Sequence, residues 1–276
     1  MSVMMSGDGA VASSDGMPAD DARLALVLSG GGAFGAAHVG VLQVLAERGI
    51  RPGIAVGTSS GALVAAAYAA GFSVEAIERA ARAFRWRQIA RWTGAARWGL
   101  LDTVATTEAV QRIFGEDPLI EDLPRAFGAY ATNLRTRQGV ILDRGPLSIA
   151  LRSTIAVPGV LPPARHQGML LADGGMVDNV PVEAARALGA ERVIVVRLHA
   201  KWENVRMMRT VTRTAALAAD ESVLLIQPEM EKLAQWTMGD VPQLIAEGRR
   251  AAEAALRETS FVPGADGSGA VGHPQG

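Results

Sequence analysis

LALVLSGGGAFGAAHVG, residues 24–40, joins a short apolar run to a helical pattern through a turn rich in glycine. The run predicts a strand over Leu24–Leu28, and the pattern after the turn predicts a helix over Ala36–Arg48 that ends at Gly49. A strand that passes through glycines directly into a helix is the opening of a β-α-β unit. This stretch therefore indicates an α/β fold.

The rest of the chain continues this alternation. Further apolar runs typical of strands lie between helical patterns, at Ile54–Val56, Ala126–Thr132, Gly139–Leu142, Met169–Leu171 and Arg192–Leu198. A helix with Pro181 in its first turn and Gly189 just past its end separates the last two runs, and another covers Val241–Leu256. The alternation predicts a parallel or mixed sheet with helices on both faces, and sites at the carboxyl ends of its strands.

Length and composition narrow the class of protein. The 276 residues suit one α/β domain, which we expect at 23–258, between disordered tails at 1–22 and 259–276. The absence of cysteine excludes disulfides, thiolate zinc sites and cysteine nucleophiles, and a net charge of -1 gives no sign of a nucleic-acid partner. Without a signal-peptide pattern or an apolar run of ~18 residues, we expect a cytoplasmic protein, soluble or peripheral to a membrane.

The glycine turn also fits G-x-G-x-x-G through Gly30, Gly32 and Gly35, a pattern typical of dinucleotide-binding folds. That function needs an acidic residue at the end of the second strand, roughly 20 positions later, to bind a ribose hydroxyl. Here the second strand ends in VGTSSG, which has no carboxylate, and no Gly-Lys-Ser/Thr follows either turn. Neither a dinucleotide site nor a P-loop is supported.

The same VGTSSG stretch contains G-x-S-x-G between a predicted strand and a predicted helix, as a nucleophile elbow requires. Gly57 and Gly61 permit a sharp turn that exposes Ser59 Oγ at the helix N-terminus, where the helix dipole favours negative charge. In a chain rich in Gly and Ala, the motif could also be a plain β-to-α connection. A nucleophile needs an oxyanion hole as well, and the backbone N–H groups of Gly30–Gly32 are its natural donors.

The histidines offer few candidates for the general base. His273 lies in the C-terminal tail, His38 follows the glycine turn in a helix where it suits packing or capping, and His166 lies in a turn. His199, at the end of an apolar run, has the place that histidine takes in the α/β-hydrolase order of Ser, acid, His. In that fold, however, the elbow usually follows several strands, whereas here it follows the second.

An acidic residue is the stronger candidate for the base. Asp173 directly follows a short apolar strand and precedes two glycines, although an Asp-Gly turn is also common at strand ends. Asp178 is the competing carboxylate, but with Asn179 and Pro181 after it, it fits a helix N-cap better. The residues alone thus favour Asp173.

Three motifs in this order resemble the patatin-like lipid acyl hydrolases: a triple glycine, G-x-S-x-G about 27 residues later, and D-G-G far downstream. The surrounding segments Leu24–Ala70, Arg144–Pro163 and Leu171–Val196 also resemble that family, and the chain is most similar to its compact bacterial members. The resemblance implies a three-layer α/β/α fold with a mainly parallel central sheet.

The resemblance further implies a Ser–Asp dyad that works without histidine, metal or cofactor. Ser59 would attack the ester carbonyl with Asp173 as the base, and the N–H groups of Gly30, Gly31 and Gly32 would hold the oxyanion. Five further glycines would support the motifs: Gly35, Gly57, Gly61, Gly174 and Gly175.

Two residues depart from the family pattern. Phe34 stands where the glycine loop usually carries Arg or Lys, which weakens the case for an ionic clamp on a phosphate headgroup. Ser60 follows the nucleophile where a small residue such as Ala is usual. Neither departure removes the implied dyad.

A stretch rich in Trp and Arg, Phe84–Leu101, suggests either a packed cap beside the site or contact with a membrane interface. Trp86, Trp92 and Trp98 are six residues apart, so they would point about 120° apart on a helix and form no single stripe. A packed cap is the simpler interpretation, and membrane contact through these residues is the alternative.

The sequence therefore predicts a hydrolase that releases fatty acids from phospholipid or lysophospholipid esters. One alternative is a soluble carboxylesterase or thioesterase acting on short acyl groups. Another is a lipid-binding regulatory protein of low turnover, which would retain lipid but fail to react with a serine-directed phosphonate.

Overall fold

The protein is described by a computed structural model that covers residues 20–85, 91–92, 101–102, 104–198, 214–230 and 239–257. The predicted tails, apart from residues 20–22, and the side chains of the three tryptophans discussed above lie outside the described residues. The strands within this part of the chain are β1 (Asp21–Leu28), β2 (Pro52–Thr58), β3 (Arg91–Trp92), β4 (Leu101–Asp102), β5 (Ala126–Asn133), β6 (Gln138–Leu142), β7 (Ala164–His166), β8 (Met169–Asp173), β9 (Arg192–Val196) and β10 (Val223–Ile226).

Helices connect most of these strands. They are α1 (Ala37–Glu47), α2 (Ser60–Ala69), α3 (Val74–Ala83), α4 (Val104–Phe114), α5 (Leu147–Thr154), α6 (Val182–Ala187), α7 (Thr214–Ala218) and α8 (Val241–Ala255). Short 3-10 turns lie at Gly32–Ala36 and Gly174–Met176. Of the helices that the structure describes, none is both long and apolar enough to cross a bilayer.

The central sheet has the order β10-β9-β1-β2-β5-β8-β7, with β6 also paired to β5. Parallel pairing joins β10, β9, β1, β2 and β5, whereas β6, β7 and β8 pair antiparallel. Helices cover both faces of this mainly parallel sheet, so the fold is a three-layer α/β/α sandwich, as the sequence predicted.

Strand β1 shows why the opening run carries no polar residue. Leu24, Leu26 and Leu28 pack into the core that contains α1, α2 and α8, while Ala25 and Val27 face the core on the side of α6. All five side chains are fully buried. Because both faces of a covered parallel sheet are buried, its strands become continuous apolar runs.

Helices α1 and α8 cross at very close range over one face of the sheet. A Cβ added at Gly40 would overlap the backbone oxygen of Ile245, and one added at Gly248 would overlap that of Ala37. The two glycines therefore let the helix backbones touch, which fixes the C-terminal helix against the helix that follows the glycine turn.

The sheet register brings the ends of β2 and β8 to the same level. Thr58 pairs with Tyr130 of β5, and the next residue of β5, Ala131, pairs with Asp173. Ser59 thus directly follows β2, Asp173 ends β8, and only β5 lies between these two strands. The sequence predicted a parallel or mixed sheet, and the sheet is mixed at this edge, where β8 runs antiparallel to β5.

Candidate active site

Ser59 lies in a sharp turn between β2 and α2. Its backbone has φ 53 and ψ -124, in the left-handed half of φ space that is costly for a residue with a side chain. Gly61 makes the turn possible, because a Cβ there would overlap the carbonyl oxygen of Leu28. A Cβ at Gly57 would press on the backbone of Ala62. The geometry is that of a nucleophile elbow.

A hydrogen-bond relay holds the Ser59 backbone in this conformation. The Ser59 N–H donates to Thr154 Oγ1 at 2.8 Å, and the Thr154 hydroxyl donates to the backbone oxygen of Tyr130 at 2.6 Å. Thr154 ends α5 and is fully buried. The relay joins the elbow to β5, and the sequence analysis did not identify Thr154 because it lies 95 residues away from Ser59.

Asp173 ends β8 in a buried position with 1% of its surface exposed. Its Oδ1 accepts from Gly175 N–H at 2.8 Å, while Oδ2 has no hydrogen-bond partner among the residues that the structure describes. Gly174, between Asp173 and Gly175 in the chain, must be glycine, since a Cβ there would overlap the backbone oxygen of Tyr130. The two glycines of the D-G-G motif therefore shape the loop around the carboxylate.

Burial raises the pKa of Asp173 from 3.8 to about 6, and the Ser59 side chain and the Gly175 N–H partly offset this effect. Ser59 is therefore close enough to stabilise the Asp173 carboxylate. The Ser59 side chain thus lies near the carboxylate, although Oδ2 forms no hydrogen bond with any described residue. A carboxylate with a pKa near neutrality next to a strained serine is suited to remove the hydroxyl proton.

The glycine turn lies against the elbow. A Cβ at Gly30 would be 3.0 Å from Ser59 Cβ. The Gly30 N–H donates to Asn179 Oδ1 at 2.9 Å, and the Gly31 N–H donates to Ser60 Oγ at 3.1 Å. Two of the three proposed oxyanion donors therefore already have side-chain acceptors. Gly32, at φ 62, begins the 3-10 turn, and among the described residues its N–H has no hydrogen-bond acceptor.

Ser60 and Phe34, the two departures from the family pattern, are both structural. Ser60 is buried, and a Cβ at Gly35 would lie 2.8 Å from its Oγ, so its side chain packs beneath the glycine turn. Phe34 is fully buried among the large side chains of the main core. The position of the usual basic residue is thus apolar and closed to solvent in this chain.

His38 is fully buried in α1, where its Nε2 lies 2.8 Å from the carbonyl oxygen of Ser29. Because that partner can only accept, Nε2 carries the proton, and burial lowers the pKa of His38 to about 4. His38 therefore braces the start of the glycine turn as a neutral ring. The expectation that His166 lies in a turn was wrong by one position: His166 is the last residue of β7, and the turn begins at Gln167. His199 and His273 lie outside the described residues.

Asp178 was predicted to cap the next helix, but its side chain binds the backbone just before that helix begins. Its Oδ1 accepts from Val180 N–H at 2.9 Å, and α6 begins two residues later at Val182 after Pro181. The carboxylate therefore closes a turn before the helix. Burial raises the pKa of Asp178 to about 6.

No group of acidic or histidine side chains able to hold a metal ion occurs in the described part of the chain.

Comparison with known proteins identifies the family of this chain. The family model for patatin-like phospholipases matches residues 26–186, which span both the elbow and the D-G-G loop. The chain belongs to the patatin-like phospholipase family.

Similar proteins include two uncharacterized NTE family proteins of Mycobacterium tuberculosis. Rv1063c is 36% identical over 73% of this chain, and Rv2565 is 32% identical over 89%. The chain spans 60% and 49% of the lengths of these two relatives. Lysophospholipase nte1 of Aspergillus fumigatus is 34% identical over 62% of this chain and 12% of its own length.

Among solved structures, VipD from Legionella pneumophila superimposes with a TM-score of 0.60 at 14% identity. The match covers 86% of this chain and 67% of VipD. At this identity the comparison concerns the fold alone, and it agrees with the three-layer architecture.

Proposed function

We propose that this chain is a serine lipid acyl hydrolase that uses Ser59 as nucleophile and Asp173 as general base. One observation carries the proposal: the strained Ser59 lies beside a buried carboxylate whose pKa is raised to about 6. Strain at a serine and a base tuned toward neutrality both have a cost in stability, and such features cluster at catalytic sites.

In the first half of the proposed reaction, Ser59 Oγ attacks the ester carbonyl carbon while its proton passes to Asp173 Oδ2. The carbonyl oxygen becomes an oxyanion, which backbone N–H groups of Gly30–Gly32 stabilise. Within the described part of the chain, Gly30 and Gly31 donate to side chains, whereas the Gly32 N–H has no acceptor there. Collapse of the intermediate expels the alcohol, which takes the proton from Asp173 and leaves an acyl-Ser59 ester.

In the second half, water attacks the acyl-Ser59 ester and Asp173 accepts its proton. Collapse returns the proton to Ser59 Oγ and releases the fatty acid. Histidine takes no part in this scheme, which fits the buried, neutral state of His38. The scheme needs only the chain's own groups and water.

The proposed substrates are long-chain acyl esters of phospholipids or lysophospholipids. Family membership and the similarity to a lysophospholipase support a lipid ester. The buried Phe34 removes the usual basic group from the glycine turn, so headgroup charge should matter little at that position. The same nucleophile and base should also hydrolyse short soluble esters, at lower kcat/KM.

The test is fatty-acid release from palmitoyl-lysophosphatidylcholine, alongside p-nitrophenyl butyrate, between pH 5 and pH 8. Ser59→Ala and Asp173→Asn should abolish turnover. The matched control is Ser153→Ala, because Ser153 is also buried and its hydroxyl donates to Ile149 O of its own helix.

Because Asp173 must be ionised to accept a proton, wild-type activity should fall about tenfold per pH unit below about 6. A rate that is flat across this range would exclude Asp173 as the base. Equal turnover by Ser59→Ala would exclude the proposed nucleophile. Turnover of p-nitrophenyl butyrate without lysophospholipid hydrolysis would favour the short-chain esterase alternative.

A further inference from the structure

Asn179 makes two hydrogen bonds to one residue of the glycine turn. Its Oδ1 accepts from Gly30 N–H at 2.9 Å, and its Nδ2 donates to Gly30 O at 3.2 Å. Asn179 is 1% exposed and lies 149 residues from Gly30 in the chain. The side-chain amide therefore occupies both backbone groups of Gly30, as a neighbouring strand would.

Gly30 is enclosed between this amide and the elbow. A Cβ at Gly30 would lie 2.7 Å from Asn179 Oδ1 and 3.0 Å from Ser59 Cβ. Asn179, Gly30 and Ser59 thus form successive layers in direct contact. A change in the position of Asn179 would move Gly30 relative to the Ser59 side chain.

Asn179 also belongs to the loop that begins with Asp173. Backbone hydrogen bonds from Val177 and Asp178 to Gly174 O, both 3.0 Å long, fold the intervening residues into a compact turn. Gly174 itself packs against the backbone of β5. The carboxylate and the amide therefore lie at the two ends of one braced loop.

We propose that Asn179 is a positioning residue that sets the glycine turn at a fixed distance from Asp173. The inference rests on the proposed function. With Gly30 held by Asn179 and the Gly31 N–H held by Ser60 Oγ, the following Gly32 N–H is presented to the oxyanion. In this proposal, Asn179 acts on the reaction through Gly30.

The test compares Asn179→Ala with Asn133→Ala in the full chain, with p-nitrophenyl butyrate as substrate. Asn133 is the matched control: it is also buried, but its Oδ1 accepts from Arg135 N–H in a local turn. A displaced oxyanion turn should lower kcat about 10- to 100-fold for Asn179→Ala and change KM less than about twofold. Since Asp173 is left in place, the midpoint of the acid limb should match that of wild type.

Asn133→Ala should keep kcat within about twofold of wild type. Equal kcat values for the two folded variants, or a loss confined to KM, would overturn the inference. A shifted acid limb would also overturn it, because the substitution would then act through the carboxylate. If wild type hydrolyses the ester and Ser59→Ala does not, the proposed function stands whatever Asn179 does.

A second pair of variants decides the matter if Asn179→Ala fails to fold. Asn179→Asp keeps the size of the side chain and the acceptor for Gly30 N–H, but an ionised carboxylate has no donor for Gly30 O. At about pH 8, its kcat should be about tenfold below that of Asn133→Asp. Equal values for this pair would overturn the inference.

Discussion

Asp173→Asn should make the protein more stable at neutral pH while removing its activity. Burial raises the pKa of Asp173 from 3.8 to about 6. A carboxyl whose pKa is higher in the folded state contributes stability when protonated, and this contribution is lost as the pH rises through the folded-state pKa. A shift of about two pKa units corresponds to ~3 kcal/mol, which ionised Asp173 subtracts from the free energy of unfolding above about pH 7.

Asparagine at this position carries no charge and can still accept from Gly175 N–H, as Asp173 Oδ1 does at 2.8 Å. The stability difference between the variant and wild type should therefore depend on pH. From the two pKa values, it should grow by ~2 kcal/mol between about pH 4.5 and about pH 7.5 in favour of the variant. Asp178, whose pKa is also raised, is common to both proteins and cancels in the comparison.

Urea unfolding of both proteins, followed by circular dichroism at several pH values, measures this difference. The midpoint of the change in the stability difference should lie between 3.8 and about 6. A difference that is the same at all pH values would refute the reasoning, because the carboxylate would then titrate alike in the folded and unfolded states. Asp173 would in that case not be tuned by burial.

Two further substitutions test the packing around the site. Gly40→Ala should lower the free energy of unfolding by more than ~2 kcal/mol, because its Cβ would overlap the backbone oxygen of Ile245. Gly239→Ala is the control, since no atom of the described residues lies within 4 Å of the Cβ that it adds. Similar urea midpoints for the two variants would contradict the close helix crossing. Ser60→Ala should cost ~1–3 kcal/mol of stability, because the Gly31 N–H loses its buried acceptor. It should lower turnover in the p-nitrophenyl butyrate assay only in part, because it releases the Gly31 N–H but leaves Ser59 and Asp173 in place. A loss as complete as that of the nucleophile variant would contradict the role given to Ser60.

Local patterns in the sequence were enough to predict much of the sheet. The strands predicted at Leu24–Leu28 and Ile54–Val56 are present and extend by a few residues, to Asp21–Leu28 and Pro52–Thr58. Continuous apolar runs identify strands that are buried on both faces, so these elements leave a clear signal. The short strand Val223–Ile226 was not predicted, because four residues at the edge of a sheet carry little pattern.

Local sequence patterns could not predict the contacts that hold the candidate site together. The bond between Ser59 and Thr154 spans 95 residues, and that between Gly30 and Asn179 spans 149. Such pairs depend on the sheet register, above all on the antiparallel entry of β8 beside β5. The sequence analysis treats Asn179 only as context for a helix cap at Asp178, because the local pattern gives no sign of its partner 149 residues away.

The most direct test of the central claim is to map the residue that a fluorophosphonate probe modifies. Intact-protein mass spectrometry and peptide mapping would be applied to wild type and to Ser59→Ala, Ser60→Ala and Asp173→Asn. The account predicts a single adduct on Ser59 in wild type and in Ser60→Ala, and none in Ser59→Ala or Asp173→Asn. An adduct on Ser60, equal labelling of Ser59→Ala, or no labelling of wild type would contradict it.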